Sequence, residues 1–147
     1  MGLRVNKASF FLNYKILIDN MWYITYNMTM FEVLFYEKED GTRPAEEYLL
    51  SEDIKLQAKM SREILLLEEF GNLLRKPHSE LLEDGIFELR AKVGTDISRV
   101  LYFFIVGRKV ILTNGFRKKT EKTPRDIIEL AKKYRDDFIE RYEKDGA

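Results

Sequence analysis

Residues Ile97 to Val106 (ISRVLYFFIV) are apolar at almost every position, and no other stretch limits the possible folds so much. A strand with one face in water alternates between apolar and polar side chains. A strand covered on much of both faces loses that alternation and lies centrally in its sheet. The neighbouring segments supply partners. Ile86 to Val93 (IFELRAKV) alternates, with Phe87, Leu89, Ala91 and Val93 on one face and Glu88, Arg90 and Lys92 on the other. Lys109 to Phe116 (KVILTNGF) returns after the short Gly107-Arg108 link, as a hairpin would. Met30 to Tyr36 (MFEVLFY) reads as a further strand from its alternation and its aromatic and β-branched content.

Helical signals fill the rest. Asp40-Gly41 marks a turn. Pro44, with Glu46 and Glu47 behind it, opens a short helix to about Leu50. Ser51 is placed to cap a longer helix whose stripe is Leu56, Met60, Ile64 and Leu67, with Gly71 as its stop. Thr123-Pro124-Arg125-Asp126 combines a capping threonine with proline at the first helical position, and Ile127, Ala131, Tyr134 and Phe138 then share one face. The order β-α-α-β-β-β-α predicts an α+β fold: an antiparallel sheet of about four strands, with two helices from the N-terminal side and a C-terminal helix packed against it.

With 147 residues, 45% apolar, the chain suffices for one compact domain, placed at 30–147. Residues 1–29 differ in character. They carry Asn6, Asn13, Asn20 and Asn27, four of the six asparagines, and are rich in residues that AT-rich codons encode. The segment reads as an N-terminal extension outside the native fold, with Met30 the natural start. Lys15 and Asp19 interrupt its apolar stretch, so it predicts neither a membrane span nor a signal peptide. No membrane association and a cytoplasmic location are therefore expected.

The absence of cysteine removes disulfides and thiolate metal sites, and a single histidine, His78, removes sites built on clustered imidazoles. No metal and no cofactor are expected. Net charge is zero but unevenly spread. Ile86 to Arg125 holds ten basic residues against three acidic, whereas Met30 to Gly85 holds seven basic against fourteen acidic. Such a split lets a neutral protein present one positive face to a polyanion. Arg90, Arg99, Arg117, Lys118, Lys119 and Lys122 converge near one end of the sheet if the strands form a meander. Arginine holds phosphate bidentately and stays charged, while a crowded lysine can give up a proton. These are the requirements of metal-free RNA cleavage, in which a 2′-hydroxyl is deprotonated, the phosphorane stabilised and the leaving 5′-oxygen protonated. The structural alternatives are as plain: Arg90 as a partner of Glu88 or Asp96, Lys118-Lys119 as a solvated turn, and His78 as a surface residue remote from the cluster. Tyr102-Phe103-Phe104 reads as core, with only the Tyr102 hydroxyl able to reach the site.

Three segments, LLEDGIFELRAKV (Leu81 to Val93), SRVLYFF (Ser98 to Phe104) and NGFRKKTEKTP (Asn114 to Pro124), resemble the phage-derived, HigB-like branch of the RelE/ParE toxin superfamily. The resemblance implies a RelE-like fold and the toxin of a type II toxin–antitoxin system. It implies an endoribonuclease that cleaves mRNA on the ribosome and is held inactive by an antitoxin with a helix-turn-helix domain. By position it implies catalytic roles for Arg90, Arg99, Lys118 and Lys119, with Lys92, Arg117 and Lys122 as RNA-binding neighbours. Glu88 stands where RelE itself carries a lysine. Two alternatives share the fold: a ParE-like inhibitor of DNA gyrase without enzymatic activity, and an inactive remnant that still binds an antitoxin.

If residues 1–29 lie outside the fold, their deletion leaves the thermal midpoint unchanged within a few degrees. A large drop in a calorimetric melt would show that Phe10, Phe11 or Trp22 buries core surface.

Overall fold

The computed structural model describes residues 30–119 and 121–145, so the reading of residues 1–29 as an extension lies outside the described residues. The elements are β1 (Glu32–Phe35), α1 (Pro44–Ser51), α2 (Ile54–Phe70), a 3-10 turn (Gly71–Leu73), β2 (Ser79–Glu83), β3 (Ile86–Val93), β4 (Asp96–Ile105), β5 (Lys109–Arg117) and α3 (Arg125–Lys144). They build the expected α+β fold around one sheet of order β1-β5-β4-β3-β2. The apolar run from Ile97 occupies the middle strand.

The sheet has five strands where the sequence predicts about four. The extra strand, β2, forms an antiparallel hairpin with β3 across Asp84-Gly85, both of which have positive φ (49° and 76°). An Asp-Gly pair between two strand-like runs favours this tight turn, because both central residues must adopt left-handed backbone angles. The sheet is also not wholly antiparallel. β2 through β5 form a meander, but β1 runs parallel to β5, with Glu32 opposite Lys109.

Each face of the sheet has its own core. On one, Leu89, Ala91, Val100, Tyr102, Val110 and Leu112 pack against Leu49 of α1 and Met60, Ile64 and Leu67 of α2. On the other, Ile86, Leu101, Phe103 and Ile111 pack against Ile128 and Ala131 of α3, with Tyr134 and Phe138 at the margin. The long α2 stripe and the α3 face therefore lie as the periodicity predicts. The caps do not. Ser51 is the last residue of α1, its hydroxyl bonded to the Tyr48 carbonyl at 2.6 Å, and Asp53 precedes α2. Thr123 does not cap α3, because its hydroxyl donates instead to the buried carboxylate of Glu88.

β5 contains a bulge. Val100 lies opposite Gly115 but Tyr102 opposite Leu112, so Thr113 and Asn114 together face Leu101. One inserted residue reverses the side-chain parity of everything after it. Val110 and Leu112 face α1 and α2, and after the bulge so do Gly115 and Arg117, while Phe116 joins the α3 side. Asn114, at the bulge, donates to the Ile127 carbonyl at 3.2 Å and ties the start of α3 to the sheet.

Gly115 lets the Tyr48 ring lie against β5: a Cβ there would stand 2.3 Å from Tyr48 Cδ2 and 3.0 Å from the Arg99 carbonyl oxygen. Tyr48 is held by its hydroxyl between Glu52 and Ser98, each at 2.5 Å, and cannot yield without breaking that network. Gly115→Ala is expected to destabilise the protein by roughly 1–3 kcal/mol, the usual range for overpacking, measured by urea unfolding.

Candidate anion-binding site

β2 begins at Ser79, opposite Leu89, so β3 from Arg90 onward has no strand on its outer side and pairs only with β4. The His78 carbonyl accepts the Arg90 N–H at 2.9 Å, and there the chain turns away. A cavity of about 510 Å³ opens round this bare edge. Its charged lining is Lys59 and Glu63 from α2, His78 from the loop, Arg90 and Lys92 from β3, Arg99 from β4 and Lys118 just after β5. Five lysine or arginine side chains thus surround one carboxylate, in a space large enough for a nucleotide-sized group.

Beneath the cavity lies Glu88, wholly buried on the α3 side of the sheet. Its Oε2 accepts from Arg99 Nη1 at 2.6 Å and Arg90 Nε at 3.1 Å, and its Oε1 accepts from Thr123. Arg90 also pairs with Glu80, which Lys76 holds from the other side at 2.9 Å. Arg90 and Arg99 sit directly opposite each other across β3 and β4. The shared carboxylate is what lets two guanidinium groups stand so close. Arg99 is only 4% exposed, yet its Nε is buried without a hydrogen-bond partner. A buried guanidinium N–H without a partner is a donor that the fold itself leaves unused.

The predicted site residues divide accordingly. Arg90, Arg99, Lys92 and Lys118 come together. The polar face of β3 is not all in water: Glu88 is buried, with Arg99 of β4 beside it and Thr123, before α3, bonded to it. Lys119 is exposed and outside the cavity lining. Lys122 lines a neighbouring groove with Glu83, Thr123 and Arg125. Arg117 is turned to the opposite face by the β5 bulge. There it is bidentate to Glu52 (2.7 and 3.2 Å), with Asp53 at 3.6 Å and Asp96 at 3.5 Å. Burial alone would raise the Glu52 carboxyl, but hydrogen bonds from Arg117, Tyr48 and Ser98 hold it below its ordinary value. The Tyr102 hydroxyl does not reach the site. It is bonded to Ser79 in the core on the helix-pair side, where burial pushes its pKa up to about 12.

His78, expected to be remote from the cluster, lines the cavity. Its Nδ1 lies 2.8 Å from Oε2 of Glu63, a carboxylate 2% exposed that Lys59 approaches at 3.5 Å. Lys59 and Glu63 share a helical face one turn apart, a spacing visible in the sequence. Their relation to His78 depends on the unforeseen strand β2, which begins one residue later. Among the described residues no three His, Cys, Asp or Glu side chains converge where an ion could bind, and no helix is long and apolar enough to cross a membrane.

A family profile described as "Phage derived protein Gp49-like (DUF891)" matches residues 47–136. The chain belongs to the Gp49-like family. The match runs from α1 into α3 and includes every residue lining the cavity, so the site lies within what defines the Gp49-like domain. The phage-derived part of the resemblance is thereby established. No curated protein matches the chain.

Glu88→Ala is expected to cost about 3–5 kcal/mol in denaturant unfolding, because it leaves the buried Arg99 charge without a counter-charge. Lys92→Ala, at an exposed position, should change stability by no more than about 0.5 kcal/mol.

Proposed function

We propose that this Gp49-like protein is the toxin of a type II toxin–antitoxin system of the RelE/HigB type. In this reading it is a metal-independent endoribonuclease that cleaves mRNA on the ribosome. The observation that carries the proposal is the cationic cavity at the bare edge of β3, where Arg90, Arg99, Lys92 and Lys118 meet Lys59 and His78. The positive charge matches the phosphate of an RNA chain. The Arg99 guanidinium, which lines the cavity, would offer a donor to a non-bridging oxygen whose negative charge grows in the phosphorane. Glu88 fixes both guanidinium groups before substrate arrives, so little reorganisation is needed when that charge develops. Lys118, just after β5, would act on the transition state, and Lys92, from β3, would hold the flanking backbone. A helix-turn-helix antitoxin is the partner proposed to cover this charge and keep the protein inactive.

One observation favours the rival reading, a gyrase-binding inhibitor without enzymatic activity. Arg90 and Arg99 already share Glu88, and Arg90 also pairs with Glu80, which reduces the charge left for a phosphate. The two readings separate in cells.

Induced expression of the full chain without a partner should arrest growth and deplete mRNA, with translation-dependent cuts visible by primer extension on a reporter transcript. Lys118→Ala should slow cleavage by about 100-fold or more with little change in the melting temperature, as expected for a donor acting on the transition state. Growth arrest with intact transcripts and altered plasmid supercoiling would decide for the inhibitor, and normal growth with intact transcripts would sink both.

A further inference from the structure

We propose that His78 is the proton-transferring catalytic residue of this site, and that Glu63 is the positioning residue that sets its orientation; the proposal rests on the nuclease reading above. A 2′-hydroxyl attacks phosphorus well only if something takes its proton, and the cavity is lined mostly by groups that carry protons already. Arginine does not accept one, and a lysine ammonium must first lose one. Of the side chains lining the cavity, only Glu63 and His78 can accept a proton directly. Glu63 is 2% exposed and occupied by His78 at 2.8 Å and Lys59 at 3.5 Å, so substrate does not reach it. His78 does meet the cavity, with 38% of its side chain exposed.

The geometry assigns the two ring nitrogens different work. With Nδ1–H donating to Glu63, the imidazole is fixed in one orientation and one tautomer, and Nε2 carries the lone pair. A buried carboxylate behind a histidine favours the imidazolium that forms when Nε2 takes a proton. The loop holding His78 is itself fixed to β3, because its carbonyl accepts the Arg90 N–H. The other charged groups that line the cavity are Lys59 and Glu63 of α2, Arg90 and Lys92 of β3, Arg99 of β4 and Lys118 beyond β5. All but Glu63 are cationic, so the carboxylate is what offsets their repulsion of an imidazolium.

In the step proposed, Nε2 of neutral His78 takes the 2′-hydroxyl proton as the 2′-oxygen forms its bond to phosphorus. The bond from phosphorus to the 5′-oxygen breaks, and that oxygen takes a proton from the Lys118 ammonium. The products are a 2′,3′-cyclic phosphate and a 5′-hydroxyl end. His78 then returns its proton to solvent, and Lys118 regains one.

The test measures single-turnover cleavage by the full chain on ribosomes programmed with a reporter mRNA, across roughly pH 5 to 9, the range in which a histidine titrates. His78→Gln should cut about 100-fold more slowly or worse and should lose the acid limb of the pH–rate profile while its melting temperature holds. Added imidazole should restore part of the activity of His78→Ala. Glu63→Gln should keep the acid limb, with a smaller loss of rate. If the parent cuts and His78→Gln cuts within a few-fold of it with the same pH profile, His78 only anchors its loop and this assignment is overturned while the nuclease reading stands. The assignment is equally overturned if His78→Ala loses thermal stability and imidazole restores nothing. A parent that cuts no RNA at any pH overturns the nuclease reading, and the role of His78 with it.

Discussion

A carboxylate with no access to water needs nearly all of its hydration replaced by the protein, and the surroundings of Glu88 are organised around that requirement. Burying such a charge without partners costs several kcal/mol, which two guanidinium groups and a hydroxyl must offset. Those partners come from β3 (Arg90), β4 (Arg99) and the lead-in to α3 (Thr123), so one ion cluster joins three parts of the chain. The same cluster draws Thr123 away from capping α3. It also holds Arg90 and Arg99 close together, which two cations would otherwise resist. The cavity above them inherits its positive charge from this arrangement.

The bulge in β5 decides which cations reach the cavity. Arg117 and Lys118 are adjacent in sequence, yet Arg117 binds Glu52 on one side of the sheet and Lys118 lines the cavity on the other. A single inserted residue at Thr113-Asn114 sets that division. It also brings Gly115 under Tyr48 and Asn114 to the start of α3, so the irregularity joins both faces to the central strands.

Periodicity revealed the elements whose side chains face one environment along their length. The nearly continuous apolar run of β4, the alternation of β3 and the stripes of α2 and α3 all lie where their patterns place them. Less legible were features that depend on a partner distant in sequence. β2 has an ambiguous pattern (SELLE), although the Asp84-Gly85 turn beside it was a usable signal. Reading that turn would have paired Ser79 with Arg90, and the bulge between Leu81 and Glu83 moves it to Leu89. The burial of Arg99 could not be read from its own segment, because the carboxylate that makes it possible sits on the neighbouring strand. The bulge left no mark in composition or spacing, so Arg117 and Lys118 looked alike. The family resemblance carried residue identities to one end of the sheet but could not say which faced the same way.

The parallel pairing of β1 with β5 has a consequence for synthesis. The chain is made from its N-terminus, and Glu32 cannot find its partner until Lys109 has left the ribosome. Until then Val33 and Phe35, wholly or almost wholly buried in the finished protein, have no strand to lie beside. The β2–β5 meander can zip locally as it emerges, whereas the first strand must wait and is added at the outer edge. The half-made chain therefore exposes its N-terminal apolar segment throughout most of its translation. That interval is the one in which a chaperone, or a partner synthesised nearby, has access to surfaces that the finished molecule hides.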